Sequence, residues 1–322
     1  MQLNLSTLDK WIPYKLLDSS REMFCEWLYT GNEQFRAPFF EHTLNNCKRL
    51  PENSGNLKTI TTIAELFNLA EGVKVDEPAA IIFHISRCGS TIVTQALANN
   101  PNHIVLSEVP FFDDLLMMPL NQAYSQQALF KNVVKLYSQQ RHGCGNKVFI
   151  KMDSWHIMRY KELRAMFSSV PFILLYRNPA EVVRSLNKQP GRHCIPQFIS
   201  PGFFGIKEEV ITVEDFYDYP IKLIEKYLEA YIEIAENDSN AFLFNYNQDM
   251  TNVMDEICKV IGVDFTKNDR AQMKERLTYH SKLPGKYFSP EPIVQNITEK
   301  FSNVFELYNR LEQLRLPQNI TS

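Results

Sequence analysis

The chain has little of several things that would each fix its class. Its six cysteines (Cys25, Cys47, Cys88, Cys144, Cys194 and Cys258) are scattered without CxxC spacing. That excludes the common zinc modules and fits reduced thiols rather than a disulfide framework. No window approaches the roughly 20 apolar residues of a spanning helix, so no membrane partner is expected. Met1–Tyr14 lacks a basic segment followed by an apolar run, so no signal peptide is expected and a cytoplasmic location is the default. Basic residues are not in excess. The net charge of −3 argues against a nucleic-acid partner, which usually needs a basic stripe. An anionic ligand would have to be held by a few local cations. Internal repeats and low-complexity tracts are also missing.

The chain does have enough material for a substantial core. Its 322 residues, 44% hydrophobic and 22% charged, suit one large α/β domain with an appendage, or two domains. Residues 1–76 read as short helices broken by Pro13, Gly31, Pro38 and Pro51, a helical N-terminal appendage. Within it, Thr62 and Glu65 fit a capping box opening a helix through Ala70. From residue 77 to 322, apolar runs alternate with helical segments, the pattern of a mostly parallel sheet. Strands are predicted at Ala80–Ile85, His103–Leu106, Lys147–Lys151, Pro171–Tyr176 and Ala241–Phe244. Helices are predicted at Ser90–Ala98, Gln122–Gln140, Tyr160–Phe167, Ala180–Asn187, Asp218–Glu236, Asn252–Ile261, Ala271–Leu277 and Glu299–Leu314. Thr212-Val213-Glu214-Asp215 is a plausible entry to the Asp218 helix, although Pro220 argues that the regular helix starts later, and Gly262 reads as a helix stop. Lys188–Ile211, rich in Pro, Gly and Phe, is long for a connection and reads as a functional loop.

The chemistry collects at the predicted carboxyl ends of strands, where open α/β sheets bind ligands. After Ala79–Phe83 comes His84-Ile85-Ser86-Arg87-Cys88-Gly89-Ser90-Thr91, a strand turning through glycine into a helix with hydroxyls in its first turn. That arrangement directs backbone N–H groups and the positive helix end at one point, a cradle for a phosphate-like anion. Arg87 adds a cation. The lysine and first glycine of the nucleoside-triphosphatase loop are missing, so the anion is not expected to be ATP. Glu108 follows the second strand; Lys151, Asp153 and His156 follow the third; Arg177 follows the fourth and Tyr246 the last. Pro179 sets a helix start just after Arg177, and Ser185 lies eight residues beyond the arginine, a pair suited to a second dianion. No cluster has metal-ligand spacing, so no metal is expected.

Ser86–Thr91, the Arg177/Ser185 spacing and Phe244-Asn245-Tyr246 together resemble the sulfotransferases that use 3′-phosphoadenosine 5′-phosphosulfate (PAPS). The closest wording is that of a bacterial branch with Ser-Arg-Cys-Gly-Ser-Thr, Lys-x-Asp-Ser-Trp-His and Tyr-Arg-Asn/Asp-Pro, which is similar to residues 86–91, 151–156 and 176–179 here. The resemblance implies a P-loop-like three-layer α/β fold and binding of PAPS, with the bisphosphate PAP as product. In that likeness Arg87, Cys88, Gly89, Ser90 and Thr91 bind the 5′-phosphosulfate, Arg177 and Ser185 the 3′-phosphate, and Tyr246 the adenine. It also implies transfer of a sulfuryl group to a hydroxyl or amine of a small-molecule acceptor, with tailoring of a secondary metabolite the fitting context.

The sequence departs from the common pattern at the base. Where eukaryotic members place a histidine two residues after a lysine, Asp153 follows Lys151, and His156 comes one helical turn later. Some bacterial members use a glutamate near the end of the second strand, which Glu108 resembles. The expected order of base candidates is Glu108, His156, Asp153. Phe111 and Phe112 beside Glu108 would raise its affinity for a proton. The family's C-terminal phosphate loop is missing, and Lys282 and Lys286 in Ser281–Lys286 stand as its replacement. Each residue also has a plainer reading: Arg177 paired with Glu181, His156 hydrogen-bonded beside Trp155, Asp153 a helix cap, Cys88 a small residue fitting the loop or else a reactive thiol, Tyr246 part of the core. Phe198, Phe203, Phe204 and Trp155 divide between acceptor pocket and core. A small-molecule kinase and a non-catalytic nucleotide-binding protein are the rival functions.

Overall fold

A computed structural model describes residues 8–19, 22–117, 125–140, 147–196, 198–207, 213–264, 266, 269–272, 275 and 299–316. Lys282 and Lys286, and most of the helix predicted at Ala271–Leu277, lie outside the described residues. Five parallel strands flanked by helices make the α/β fold: β4 (Ala80–His84), β5 (His103–Ser107), β6 (Lys147–Lys151), β7 (Phe172–Tyr176) and β8 (Ala241–Asn245), in the order β5-β6-β4-β7-β8. In β4, β5 and β7 every residue is buried, as expected of parallel strands covered on both faces. All five had been predicted within one residue of these limits.

The contacts divide the chain into two compact units. One comprises Met1–Ala79, Thr94–Lys151 and Lys161–Val170. It opens with an antiparallel sheet of β1 (Trp11–Asp18), β2 (Met23–Tyr29) and β3 (Thr59–Thr62). The purely helical reading of residues 1–76 is therefore corrected: helices α1 (Phe40–Lys48), α2 (Pro51–Ser54) and α3 (Ile63–Glu71) are present, but they accompany a sheet. The strands escaped notice because Pro13 reads as a breaker. Here it sits inside β1, where the pairing with β2 slips between Pro13 and Lys15, an irregularity that accommodates a residue without an N–H. The capping box is present, with Glu65 N–H donating to Thr62 Oγ1 at 3.1 Å and Thr62 N–H to Glu65 Oε2 at 2.8 Å.

In the same unit β5 pairs with β6, His103 opposite Lys147 through Ser107 opposite Lys151. Helices α5 (Pro110–Met117), α6 (Gln126–Tyr137) and α7 (Tyr160–Met166) contribute apolar faces. Aromatic residues of α5 and α6 meet Phe40 of α1 in one cluster: Phe112 lies 5.3 Å from Phe130 and 5.1 Å from Tyr137, and Tyr137 lies 5.5 Å from Phe40. The buried Tyr137 hydroxyl donates to the Pro13 carbonyl at 2.7 Å, so the proline that interrupts β1 still anchors it.

The second unit, Ala80–Val93, Met152–Tyr160 and Pro171–Ser322, holds β4, β7 and β8 in parallel register. Its helices are α8 (Pro179–Lys188), α9 (Val213–Asn237), α10 (Met250–Ile261) and α11 (Ser302–Arg315), together with the first turn of α4 (Ser90–Ala98). Local rules set the ends. The Asn178 side chain caps α8 ahead of Pro179, Asp249 Oδ1 accepts from Thr251 and Asn252 N–H to start α10, and Gly262 at φ +59° ends it. The α9 helix starts at Val213, within the entry read at residues 212–215, and runs through Pro220 as regular helix rather than starting after it. The apolar face that includes Leu223, Ile224, Tyr227, Leu228 and Tyr231, each fully buried, outweighs the proline's missing bond.

Candidate functional site

The glycine bend has unusual backbone geometry. Ile85 N–H still donates to Leu175 O at 3.2 Å, extending the β4–β7 pairing by one residue. The chain then turns through left-handed conformations at Ser86 (φ +65°), Arg87 (φ +48°) and Gly89 (φ +77°). For the two non-glycine residues this costs on the order of 1–2 kcal/mol each, a strain that accumulates at functional sites. Local bonds hold the bend. Ser86 N–H donates to Nδ1 of His84 at 3.1 Å, and the buried Cys88 thiol donates to Leu175 O at 3.3 Å. Ile92 N–H bonds Gly89 O at 2.9 Å, which starts α4 on the glycine and places Ser90 and Thr91 in the first turn. Successive N–H groups in a turn that leads into a helix start are a general form of anion-binding concavity, a nest; in this bend the Ser86 N–H is already committed to His84.

Two further residues meet this bend. A Cβ on Gly89 would lie 2.1 Å from ring atoms of Tyr246, so the tyrosine closes over the glycine. Arg177 Nη1 donates to Arg87 O at 3.3 Å, and its guanidinium lies 5.0 Å from the Tyr246 ring centroid. Burial pushes the Tyr246 phenol up, outweighing Arg177, and keeps it neutral. Arg177 also pairs with Glu181, the plainer partner anticipated for it, while its Nε has no hydrogen-bond partner among the described residues. Ser185 lies two turns into α8, half-buried, with its carbonyl accepting from Gln189 N–H at 3.1 Å. The Arg87 side chain is turned to the Gln189 carbonyl. Thus Arg87, Cys88, Gly89, Arg177 and Tyr246 are brought together from three separate segments.

In the other unit, Lys151 and Glu108 form a second cluster. Lys151 is 1% exposed, and its Nζ lies 2.6 Å from Glu108 Oε1 and 5.2 Å from the Phe39 ring centroid. Glu108 N–H donates to Lys151 O at 2.8 Å, and Glu108 has φ +54°. A left-handed glutamate directly after a strand, ion-paired to a buried ammonium, is a second point of stored strain. Phe111 and Phe112 are buried in the core of their unit, Phe112 within the Phe130 and Tyr137 cluster.

Asp153 and His156 take up capping positions. His156 is fully buried, its N–H bonds Asp153 O at 3.0 Å, and its Nδ1 accepts from Asp153 N–H at 3.3 Å. The ring also packs edge-on against Trp155 at 5.6 Å. Of the aromatic residues considered for an acceptor pocket, Trp155 and Phe204 are buried and Phe198 is exposed. Phe203 lies between Phe204 at 5.3 Å and the Arg159 guanidinium at 5.6 Å. Sequence reading gave no role to His84, which heads the glycine-bend segment and accepts from Ser86 N–H. It missed Asn247, whose contacts hold the end of β8 and which only its place after a strand could have brought to notice.

No protein-family model and no curated protein sequence matches the chain. Solved structures do. The sulfotransferase domain from the curacin biosynthetic pathway is 14% identical, with 74% of this chain and 99% of that one covered at a TM-score of 0.45. Sulfotransferase STF9 from Mycobacterium avium is 13% identical, with 80% and 82% covered and a TM-score of 0.49. Mouse sulfotransferase SULT7A1, solved with PAP, is 11% identical, with 81% and 92% covered and a TM-score of 0.37. All three of these neighbours are sulfotransferases.

Proposed function

We propose that this chain is a PAPS-dependent sulfotransferase acting on a hydroxyl or amine of a small-molecule acceptor. One observation carries the reading: Arg177 and Tyr246, from the ends of β7 and β8, both contact the glycine bend that ends β4. A dianion at Arg177 and an anion at the Ser86–Thr91 nest then belong to one ligand, as a doubly phosphorylated adenosine requires. An ordinary adenylate gives Arg177 and Ser185 nothing to bind.

The reaction is an in-line displacement. The acceptor oxygen or nitrogen forms a bond to sulfur, the bond from sulfur to the 5′-phosphate oxygen breaks, and PAP leaves. By analogy with phosphoryl transfer, positioning and charge stabilisation supply most of the acceleration. Arg87, Ser90, Thr91 and the loop N–H groups hold the phosphosulfate, and Lys151 neutralises charge as it develops. Arg177 and Ser185 hold the 3′-phosphate, Tyr246 stacks on adenine, and Lys282 and Lys286 add cations. Glu108 takes the acceptor proton. His156 ranks below it because its Nδ1 already accepts from Asp153 N–H, and Asp153 caps the same turn.

The test is direct. Incubation with PAPS and a panel of phenols, alcohols and amines, without added magnesium, is expected to give a sulfated product by mass spectrometry. Phosphorylated product formed only with ATP and magnesium would make the chain a kinase. Bisphosphate binding with no transfer across the panel would make it a nucleotide-binding protein.

A further inference from the structure

The two strand ends that deliver Arg177 and Tyr246 share a polar anchor on another element. Tyr176 and Asn245 are the last residues of β7 and β8 and stand opposite each other in register. Tyr246 N–H donates to Tyr176 O at 2.8 Å, tying the two exits together. Both side chains are buried, and both donate to one carboxylate, Glu312 of α11. The Tyr176 hydroxyl donates to its Oε1, and Asn245 Nδ2 donates to the same oxygen at 2.9 Å. Arg315 holds the other oxygen at 2.9 Å, and Asn245 Nδ2 also reaches the Tyr308 hydroxyl at 2.8 Å.

From Asn245 the bonds continue to Arg177. Asn245 Oδ1 accepts from Asn247 N–H at 2.9 Å, and Asn247 Oδ1 accepts from Asn178 N–H at 2.7 Å. Asn247 Nδ2 donates to Glu181 Oε1 at 3.3 Å, and Glu181 pairs with Arg177. We propose that Glu312 is a positioning residue for the dianion site at Arg177, acting through Tyr176, Asn245, Asn247 and Glu181. The proposal rests on the reading that Arg177 binds the 3′-phosphate. The chemistry requires a carboxylate, because every group that reaches Glu312 here brings a hydrogen. With both amide protons of Asn245 engaged by Glu312 and Tyr308, its oxygen is left to face Asn247. Replacing the carboxylate by an amide removes the charge that holds these donors and sets an NH2 against Arg315 or against Asn245, which weakens the hold on Asn245.

Calorimetric titration of the folded chain with adenosine 3′,5′-bisphosphate and with AMP tests this. Glu312→Gln is expected to weaken the bisphosphate by roughly tenfold, within the range of coupling energies for hydrogen-bond networks. AMP, which lacks the 3′-phosphate, is expected to bind as it does to wild type. A merely structural role would move both ligands or neither. Arg310→Ala, on the same helix as Glu312, breaks an exposed pair with Glu236 of α9 and is expected to leave both unchanged. If Glu312→Gln fails to fold, Tyr176→Phe removes one donor while keeping the carboxylate and is expected to weaken the bisphosphate alone, by about threefold. Equal bisphosphate affinity in the Glu312 or Tyr176 variant and wild type overturns the proposal. Wild-type binding undiminished in Arg177→Ala overturns the assignment of Arg177 itself, and the proposal with it.

Discussion

Gly89 has two separate reasons to lack a side chain: φ of +77° and the Tyr246 ring where a Cβ would go. Gly89→Ala is therefore expected to lower the melting temperature through a left-handed penalty of roughly 1–2 kcal/mol plus the displacement of Tyr246. Adding Tyr246→Ala should recover only the second part, which a comparison of the two melting curves measures. Sequence reading found this glycine because strand, glycine and hydroxyls stand in a known order. It missed the left-handed backbone at Ser86, Arg87 and Glu108, since residues with a Cβ give no sign that the surrounding structure has forced them there. Cys88, 1% exposed and bonded to a carbonyl, is expected to resist alkylation in the native protein, which excludes the reactive-thiol reading if labelling confirms it. Glu108→Gln is expected to keep bisphosphate affinity while turnover falls by about 10²–10⁴-fold, the range for lost proton transfer. Near-normal turnover would shift the base to His156.

Elements were legible where one local rule dominates. The parallel strands announce themselves as continuous apolar runs, and Thr62, Pro179 and Gly262 mark helix ends by their chemistry. Thr62→Ala is expected to cost about 1 kcal/mol, typical of a lost cap, read as a lower denaturation midpoint with an unchanged slope. The N-terminal sheet was hidden because β1 contains a proline and its burial does not alternate along its length. The anchoring of α11 was hidden for a different reason: Glu312 looks like any charge on an amphipathic helix until its partners are in place. Burial alone would push the Glu312 carboxyl up, but bonds from Arg315, Tyr176 and Asn245 outweigh it and hold the group below its ordinary range. A carboxyl depressed in the folded state adds stability above its unfolded value and loses it as pH falls through the folded one. The stability margin of wild type over Glu312→Gln should therefore be flat near neutrality and shrink as the pH drops below the ordinary carboxylate range. Acid unfolding followed by circular dichroism measures this, and a margin that persists in acid would count against the anchor.

For the whole molecule, a net charge of −3 offers no general attraction to a polyanionic nucleotide, so recognition rests on a few placed groups. Composition argues against a nucleic-acid partner on the same ground. It could not show that segments near residues 87, 177 and 246 converge, because only the pairing of β4, β7 and β8 brings them together. That convergence is the central claim. It is tested most directly by thermal shift with adenosine 3′,5′-bisphosphate, ATP and AMP at equal concentration. A ligand at a hundred times its dissociation constant stabilises by about 2.7 kcal/mol, several degrees of melting temperature for a chain of this size. The bisphosphate is expected to give the largest shift, and Arg177→Ala to abolish most of it. Equal shifts from all three nucleotides, or a bisphosphate shift that survives Arg177→Ala, would contradict it.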